Sequence, residues 1–423
     1  MENGKFVIQG LEGQKVLEGK ISVRGAKNAA LKAFAASILF DDGIQIDNVP
    51  FIKDIESVSN LLKHLGVHVN QISERSFKLK SSGGINTDLA DDIAKSLRAS
   101  IVLSGPILAK EGKVSFSHPG GCVIGERPID IFLESFEKMG ANTRKDGEKY
   151  IVSAAKLHGA EIIFKIPSVT ATETLMMTGV LTPGTTILHN AACEPEIVAL
   201  ADFLNAGGAE INGAGTHNVV IKGVDSLRSR KPFLTPSDRI EAGSLAILAA
   251  VCGKDIEIID CQPEHLKVLL RALVSAGANI QETGKSIRIK SSPSLRSLDI
   301  KTHEYPGIPT DLQSPLAVLM TQATGKSFIF ETIFEGRLNY LNELIRMGAD
   351  ITICDPHRAI ISGPTSLRGR EMESPDLRAG LAFIIAALIA KGESIIHNIY
   401  NIDRGYENIE ERLRLINADI KRV

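Results

Sequence analysis

The chain has 423 residues, of which 43% are hydrophobic and 23% charged, and its formal net charge is −2. This length exceeds the ~250–300 residues at which a single hydrophobic core stops growing, so more than one domain is expected. The near-neutral charge, without a basic stripe, argues against nucleic acid or an anionic membrane as the main partner.

The cysteines and the apolar segments argue against a metal-binding, disulfide-stabilised or membrane-spanning protein. Five scattered cysteines show neither metal-ligand spacing nor a disulfide framework. The longest apolar run, residues 380–390, is shorter than the ~20 residues that span a bilayer. Residues 1–5 lack the features of a signal peptide, so a cytoplasmic location is expected.

One pattern occurs six times along the chain, at a spacing of roughly 70 residues. Each copy contains a helix-like stretch that ends at a small residue, which predicts a helix C-cap. The six cap positions are Gly66, Gly140, Gly208, Gly277, Gly348 and Asn417.

Taken in chain order, each copy predicts the same elements. A helix rich in Ala and Leu comes first, as at residues 29–39, 244–251 and 381–390. A short strand with alternating apolar residues follows, at residues 44–46, 114–116, 186–188, 256–258, 328–330 and 395–397. An amphipathic helix such as 264–276 and a hairpin complete the copy, with second hairpin strands at 150–152, 219–221 and 287–290.

The sixth copy ends at Val423, before its last strand, and residues 5–9 could supply that strand. The sequence therefore predicts an α/β protein with two lobes, each an inside-out α/β barrel of three repeats with buried helices and outer sheets. One lobe is expected at residues 27–237 and a discontinuous one at residues 1–26 plus 238–423. The cleft between the lobes is the expected binding place, although repeats alone do not specify an activity.

A loop in the second copy carries a single cysteine. Cys122 lies among three glycines and two prolines, five residues before Arg127. Such a loop favours an exposed thiol, and a nearby guanidinium would stabilise its thiolate. Acid–base or covalent chemistry is one interpretation, and an inert, buried cysteine is the other.

Several polar residues lie at the corresponding ends of elements in different copies, where helix N-termini attract anions. They are Lys27, Asn28, Arg98, Arg127, Arg378 and Arg404. Cations converging from several repeats indicate a substrate with more than one anionic group, such as a phosphate and a carboxylate. The alternative is that the arginines pair with the neighbouring Asp376 and Asp403.

Asp311 is the best candidate for a general base. Two prolines and a glycine precede it, and an apolar helix follows. A carboxylate at this place can also be a simple N-cap. Asp238 occupies the equivalent place in the fourth copy and is expected to be purely structural.

Eight short motifs carry a resemblance that extends over nearly the whole chain. They are Gly25-Ala-Lys27-Asn28-Ala, Arg98-Ala-Ser100, Pro119-Gly-Gly-Cys122, Ile124-Gly-Glu-Arg127-Pro128, Glu194-Pro-Glu196-Ile, Pro309-Thr-Asp311, Asp376-Leu-Arg378-Ala-Gly380 and Ile402-Asp-Arg404-Gly-Tyr-Glu407. The sequence resembles the UDP-N-acetylglucosamine 1-carboxyvinyltransferases, a family of enolpyruvyl transferases in the EPSP synthase superfamily. That resemblance implies two lobes of three repeats.

The resemblance also implies a reaction. The enolpyruvyl group of phosphoenolpyruvate passes to the sugar 3-hydroxyl of UDP-N-acetylglucosamine through a tetrahedral, phosphate-bearing intermediate, in the committed step of peptidoglycan precursor synthesis. Closure of the lobes would exclude water. No metal or organic cofactor is implied, and a monomer is expected.

Roles follow from the resemblance position by position. Cys122 would protonate the methylene carbon and could form a covalent adduct, which also implies inactivation by the epoxide fosfomycin, and Asp311 would take the hydroxyl proton. Lys27, Arg127 and Arg404 would hold phosphate and carboxylate, with Asn28 and Arg378 also at the phosphoenolpyruvate. The positions that would hold the nucleotide sugar are Asn28, Arg98, Arg127, Pro128, Ile129, Asp130, Ile131, Ser168, Val169, Asp311 and Ile333.

The chain departs from the family pattern near the nucleotide-sugar motifs. Phe132 replaces a histidine, Thr170 a glycine and Cys193 an arginine, while Leu338-Asn-Tyr340 replaces Phe-Met-His. The expected catalytic residues are unchanged. Two alternatives therefore stay open: an enolpyruvyl transferase with another nucleotide acceptor, and a non-catalytic paralogue that binds nucleotide sugars.

Overall fold

A computed structural model describes residues 4–81, 83–89, 98–118 and 128–423. The described residues form two compact units. The described residues within 25–236 make up the continuous unit, and residues 4–24 with 237–423 make up the discontinuous unit. No helix among the described residues is long and apolar enough to cross a membrane.

Each unit contains three repeats with a common order of elements. An edge strand is followed by a core helix, a central strand, an outer helix and a hairpin. In the second repeat the described residues show only an isolated parallel bridge, between Asp88 and Ser115, in place of the edge strand. The edge strand pairs in parallel with the central strand, as Glu161–Ile163 does with Thr185–His189. The central strand then pairs antiparallel with the second hairpin strand, here Asn218–Lys222. The apolar and amphipathic helices predicted from the sequence are the core and outer helices, respectively.

The continuous unit holds the first three repeats. Their core helices are Lys27–Ala36, Ser104–Glu111 and Val169–Gly179, with 3₁₀ segments at Ser37–Leu39 and Arg98–Leu103. Their outer helices are Lys53–His64, Asp130–Lys138 and Pro195–Ala206. The central strands are Ile44–Asp47, Lys113–Ser117 and Thr185–His189, and the hairpins are Val67–Ser73 with Ser76–Ser81, Asn142–Asp146 with Lys149–Ser153, and Glu210–Asn212 with Asn218–Lys222.

The discontinuous unit holds the other three repeats. Its core helices are Arg239–Cys252, Gln313–Thr321 and Leu377–Ile389, with a 3₁₀ turn at Thr310–Leu312. Its outer helices are Lys267–Ser275 (preceded by the 3₁₀ turn Pro263–Leu266), Leu341–Arg346, and the pair Tyr400–Asp403 and Ile409–Arg414. The pairs of edge and central strands are Leu17–Ser22 with Gly253–Ile259, Asp299–Lys301 with Gly325–Phe330, and Glu371–Glu373 with Glu393–His397. The hairpins are Asn279–Glu282 with Ser286–Lys290, Asp350–Asp355 with Arg358–Gly363, and Ile420–Arg422 with Phe6–Gln9.

The chain exchanges two edge strands between repeats. Leu17–Ser22 precedes the first core helix in sequence but pairs with Gly253–Ile259 of the fourth repeat. Phe233–Leu234 precedes the fourth core helix but pairs with Ile44–Asp47 of the first repeat. Each sheet is thus completed by a strand from a distant part of the chain.

The sixth sheet confirms that the N-terminal residues complete the last repeat. Phe6–Gln9 lies between Glu393–His397 and Ile420–Arg422 and pairs antiparallel with both. Its Phe6 and Ile8 side chains are fully buried.

Arg412 links the N-terminal segment to the rest of the discontinuous unit through a hydrogen bond and an ion pair. Its guanidinium lies 2.6 Å from a Glu241 carboxylate oxygen and donates to the Ser22 carbonyl at 2.9 Å. Glu241 also accepts the backbone N–H of Arg24 at 2.7 Å. Arg412 and Glu241 are both buried, so the ion pair is shielded from water.

The helices lie inside and the sheets outside, as predicted. Every residue of Leu377–Ile389 is buried, and this helix packs against the core helices Arg239–Cys252 and Gln313–Thr321. In the continuous unit, Ser104–Glu111 packs on Val169–Gly179. Each unit has its own hydrophobic core.

The six residues predicted to end the outer helices lie just after the C-cap residues and have the expected left-handed backbone. All six positions have a left-handed φ, between 71° and 109°: Gly66, Gly140, Gly208, Gly277, Gly348 and Asn417. Glycine and asparagine tolerate this conformation better than other residues, which explains why the repeat is legible in the sequence.

Candidate active site

The structure does not describe the side chains of three predicted site residues. Cys122 and Arg127 lie outside the described residues, and of Arg98 only the backbone is described, at the start of the 3₁₀ segment Arg98–Leu103. The roles of these side chains stay predictions.

Asp311 lies at the N-terminal side of the fifth core helix, in contact with two arginines. One carboxylate oxygen is 2.8 Å from a terminal nitrogen of Arg337, and the other is 2.9 Å from Nε of Arg378. The Asp311 side chain is 29% exposed, whereas the side chains of Arg337 and Arg378 are 4% and 5% exposed. The Asp311 carboxylate is therefore partly accessible to solvent, and each of its oxygens contacts a buried guanidinium group.

Arg378 is fixed by contacts on several sides. Asp376 caps the helix Leu377–Ile389 by accepting the backbone N–H groups of Arg378 and Ala379 at 2.8 and 3.1 Å. The Arg378 guanidinium donates to the Tyr406 hydroxyl at 3.0 Å. Burial favours loss of the Arg378 proton, but Tyr406 and Asp311 outweigh it and keep the pKa well above its ordinary value. Arg378 is thus a permanently charged, rigidly held group.

The N-cap interpretation is confirmed for Asp238 and wrong for Asp311. The Asp238 carboxylate accepts the backbone N–H groups of Ile240 and Glu241 at 2.8 and 3.1 Å. Pro309 occupies the N-cap position before Asp311 and has no side-chain cap bond. The two arginines, distant in sequence, draw the Asp311 carboxylate into ion pairs instead.

The alternative interpretation, in which the arginines pair with the adjacent Asp376 and Asp403, is wrong. Arg378 contacts Asp311, because Asp376 is engaged as a helix cap. Asp403 forms an ion pair with Arg422, at 2.7 Å. Arg404 itself is half-buried and follows the short helix Tyr400–Asp403, two residues before the Tyr406 that contacts Arg378.

Glu331 organises the loop that carries Ile333 and Arg337, and sequence reasoning missed it. Its buried carboxylate accepts the backbone N–H groups of Ile333 and Phe334 at 2.8 and 3.2 Å. The second carboxylate oxygen accepts the Thr310 hydroxyl at 2.9 Å. One side chain thus joins this loop to the residue preceding Asp311. A glutamate directly after an apolar strand was the signal available in the sequence.

In the continuous unit, Lys27 is the first residue of a core helix, as predicted, and Asn28 follows it half-buried. The Lys27 ammonium lies 2.5 Å from a carboxylate oxygen of Asp54, in the first turn of the helix Lys53–His64. The Lys27 side chain is 11% exposed. Asp54 was not predicted, since an acidic residue in a first turn is typical of any helix.

Ser168 and Val169 begin the third core helix. Ser168 is its N-cap, and the Ser168 hydroxyl accepts the backbone N–H of Ala171 at 3.3 Å. The neighbouring Thr170 accepts the Thr174 hydroxyl on its backbone carbonyl.

The predicted nucleotide-sugar segment 128–131 starts the second outer helix. Ile129 is buried and Ile131 half-buried, while Pro128 and Asp130 are exposed. Three of the departures from the family pattern are core residues: Phe132, Leu338 and Tyr340 are buried, and the Tyr340 hydroxyl donates to Gln313. The Cys193 thiol lies 3.6 Å from His217 Nδ1, and burial raises its pKa.

No group of three or more His, Cys, Asp or Glu side chains within the described ranges could hold a metal ion.

Comparisons with known proteins extend over the full length of the chain. The profile of the family EPSP synthase (3-phosphoshikimate 1-carboxyvinyltransferase) matches residues 11–413. A UDP-N-acetylglucosamine 1-carboxyvinyltransferase from Desulfosudis oleivorans is 43% identical over 413 residues, covering 98% of both chains. One from Halothermothrix orenii is 43% identical over 420 residues, covering 99% of this chain and 100% of the relative.

Two solved structures share the fold. The enolpyruvyl transferase NikO from Streptomyces tendae superimposes with a TM-score of 0.89 at 22% identity, covering 100% of this chain and 99% of that chain. EPSP synthase from Acinetobacter baumannii gives a TM-score of 0.76 at 19% identity, covering 99% and 100% of the respective chains. Because the family profile and the relatives both match nearly the entire chain, this protein belongs to the EPSP synthase family of enolpyruvyl transferases.

Proposed function

We propose that the protein transfers the enolpyruvyl group of phosphoenolpyruvate to the 3-hydroxyl of UDP-N-acetylglucosamine, with release of phosphate. The observation that carries this proposal is the 43% identity to UDP-N-acetylglucosamine 1-carboxyvinyltransferases over 98% of the chain. The reaction would take place in the cytoplasm and supply the precursor of peptidoglycan.

Asp311 is the proposed general base. Two arginine contacts orient its carboxylate, and the side chain is 29% exposed. A base that accepts a proton in the transition state contributes typically 10²–10⁴ in rate. Because Arg337 and Arg378 are buried and each contacts a different carboxylate oxygen, they fix the direction of the carboxylate.

The proposed reaction proceeds by addition and elimination. The sugar oxygen attacks C2 of phosphoenolpyruvate while Asp311 takes the hydroxyl proton, and Cys122 donates a proton to C3, which becomes a methyl group. In the elimination step the Cys122 thiolate takes a proton back from that methyl group, which restores the C2–C3 double bond as the C2–O bond to phosphate breaks. The leaving phosphate takes the proton that Asp311 had accepted, so both side chains return to their starting states. Lys27, Arg127 and Arg404 would stabilise the negative charges on phosphate and carboxylate.

Lys27 suits the anion-binding role for a second reason. It begins a core helix, where unpaired backbone N–H groups and the helix dipole favour an anion. Asp54 contacts the ammonium and holds it at that helix start.

The test is phosphate release from phosphoenolpyruvate with UDP-N-acetylglucosamine, compared with UMP and other nucleotide acceptors. We expect turnover with UDP-N-acetylglucosamine and a loss of about 10²–10⁴ in kcat for Asp311→Asn. The matched control is Asp355→Asn, which removes an aspartate that pairs with an arginine on an outer hairpin of the same repeat; it should keep full activity. Turnover with another acceptor alone would identify a different transferase, and no turnover with any acceptor would indicate a binding protein.

A further inference from the structure

Two buried charges in the continuous unit have no part in the proposed chemistry. The Lys32 ammonium lies 3.0 Å from a carboxylate oxygen of Glu173. The Lys32 side chain is 7% exposed and the Glu173 side chain is fully buried. Lys32 belongs to the core helix Lys27–Ala36 and Glu173 to the core helix Val169–Gly179, so the ion pair joins two core helices of different repeats.

Stability alone is a poor reason for this ion pair. Desolvation of two charges offsets most of their attraction, and apolar residues of similar volume usually stabilise a core as well or better. Further carboxylates, those of the buried Glu194 and Glu196, raise the electrostatic cost for Glu173. The best-attested use of a buried ion pair is to fix one arrangement of packed elements against others.

The place of the pair on its helices indicates what is fixed. Lys32 comes four residues after Asn28, and Glu173 comes four residues after Val169. Residues at i and i+4 lie on the same helix face, about 6 Å apart along the axis. The ion pair therefore lies one turn below two residues that we assign to the nucleotide sugar, on both helices at once.

We propose that Lys32 and Glu173 are positioning residues that hold the N-terminal turns of these two core helices at the separation which the nucleotide sugar requires. This inference rests on the proposed function, because it uses the assignment of Asn28 and Val169. The pair does not touch the substrate. It acts through the two helices, whose first turns present Lys27–Asn28 and Ser168–Val169.

The experiment uses two variants that keep side-chain volume. Lys32→Met removes the cation, and Glu173→Gln removes the anion but keeps a hydrogen-bond acceptor for Lys32. Both are expected to fold: in Lys32→Met, Glu173 can become neutral by binding a proton, and in Glu173→Gln the amide stays neutral. At pH 8, where Glu173 is ionised, we expect each to raise the KM for UDP-N-acetylglucosamine about tenfold, with little change in kcat or in the KM for phosphoenolpyruvate.

Reversal of the pair provides the rescue. The double variant Lys32→Glu with Glu173→Lys restores a cross-helix ion pair and should bring the KM for the nucleotide sugar back towards the original value. Thr178→Val is the matched control, because Thr178 is buried on the same helix but bonds only within it, to the Thr174 carbonyl. It should leave the KM unchanged.

A second readout separates this inference from the proposed function. Calorimetric titration with UDP-N-acetylglucosamine alone measures its Kd without turnover, and the single variants should weaken it by the same factor of about ten. Folded single variants with unchanged KM and Kd would overturn the positioning role, as would an equal effect on both substrates. Absence of turnover in the unmodified protein, with the Kd effect intact, would instead contradict the proposed function.

Discussion

Glu173 should make the stability of the protein depend on pH in a window where few carboxylates titrate. Burial, together with Glu196 and Glu194, raises its pKa from 4.5 to about 7, against the opposing influence of Lys32. Between these two values the folded protein binds a proton that the unfolded chain releases. The contribution of Glu173 to the free energy of unfolding is therefore complete below pH 4.5 and is lost as the pH rises towards 7.

The size of the effect follows from the two pKa values. A pKa that rises from 4.5 to about 7 corresponds to about 3 kcal/mol of unfolding free energy, at ~1.4 kcal/mol for each pH unit. Glu173→Gln cannot titrate, so its free energy of unfolding should lack this component. The difference between the unmodified protein and the variant should change by about 3 kcal/mol across the window, in favour of the variant at the higher pH.

Urea unfolding of both proteins at several pH values from 4.5 to 7.5 measures this difference directly, because other titrating groups cancel. Glu210→Gln serves as the control, since Glu210 is exposed and pairs with Lys222 on a hairpin of the same unit. Its difference from the unmodified protein should stay within about 1 kcal/mol at every pH. A difference for Glu173→Gln that is equally flat would refute the reasoning.

Three further substitutions test the packing and the proposed chemistry. Gly105→Ala should destabilise the protein by about 1–3 kcal/mol, because the new methyl carbon would lie 2.5 Å from the Thr174 carbonyl oxygen; Gly284→Ala, with open space around it, is the control in a melting experiment. Arg412→Met should cost about 3–5 kcal/mol in urea unfolding by leaving its buried carboxylate partner unpaired, and a cost below ~1 kcal/mol would contradict the structural role given to that ion pair. Cys122→Ser should lose phosphate release and resist epoxide inactivation by fosfomycin, and full turnover or continued inactivation of this variant would remove the thiol from the mechanism.

The repeat was readable in the sequence because its signals are local. A helix that must end in a left-handed residue selects Gly or Asn, and all six such positions have positive φ. The N-cap role of Asp238 was equally local, since its carboxylate bonds the next two N–H groups of its own helix. The alternation of apolar residues likewise placed the central strands.

Ion pairs between residues that are distant in the chain could not be predicted from the sequence. Asp311 looks like an N-cap in its local sequence, and its arginine contacts come from positions far along the chain. Lys32 stands in a helix otherwise rich in Ala, where a lysine suggests a solvent-facing side chain, until Glu173 is found opposite it. Sequence spacing thus predicts the helices and strands of each repeat, while the partner of a buried charge depends on which helices the fold brings together.

The strand Phe6–Gln9 has a consequence for biogenesis. It leaves the ribosome well before its two neighbours in the sheet, Glu393–His397 and Ile420–Arg422, because both lie far along the chain. The continuous unit has all its strands once residue 236 has emerged, so it can fold during translation, as domains do when their residues are complete. The discontinuous unit must wait for nearly the whole polypeptide, and until then the apolar segment around Phe6 is a natural target for chaperones.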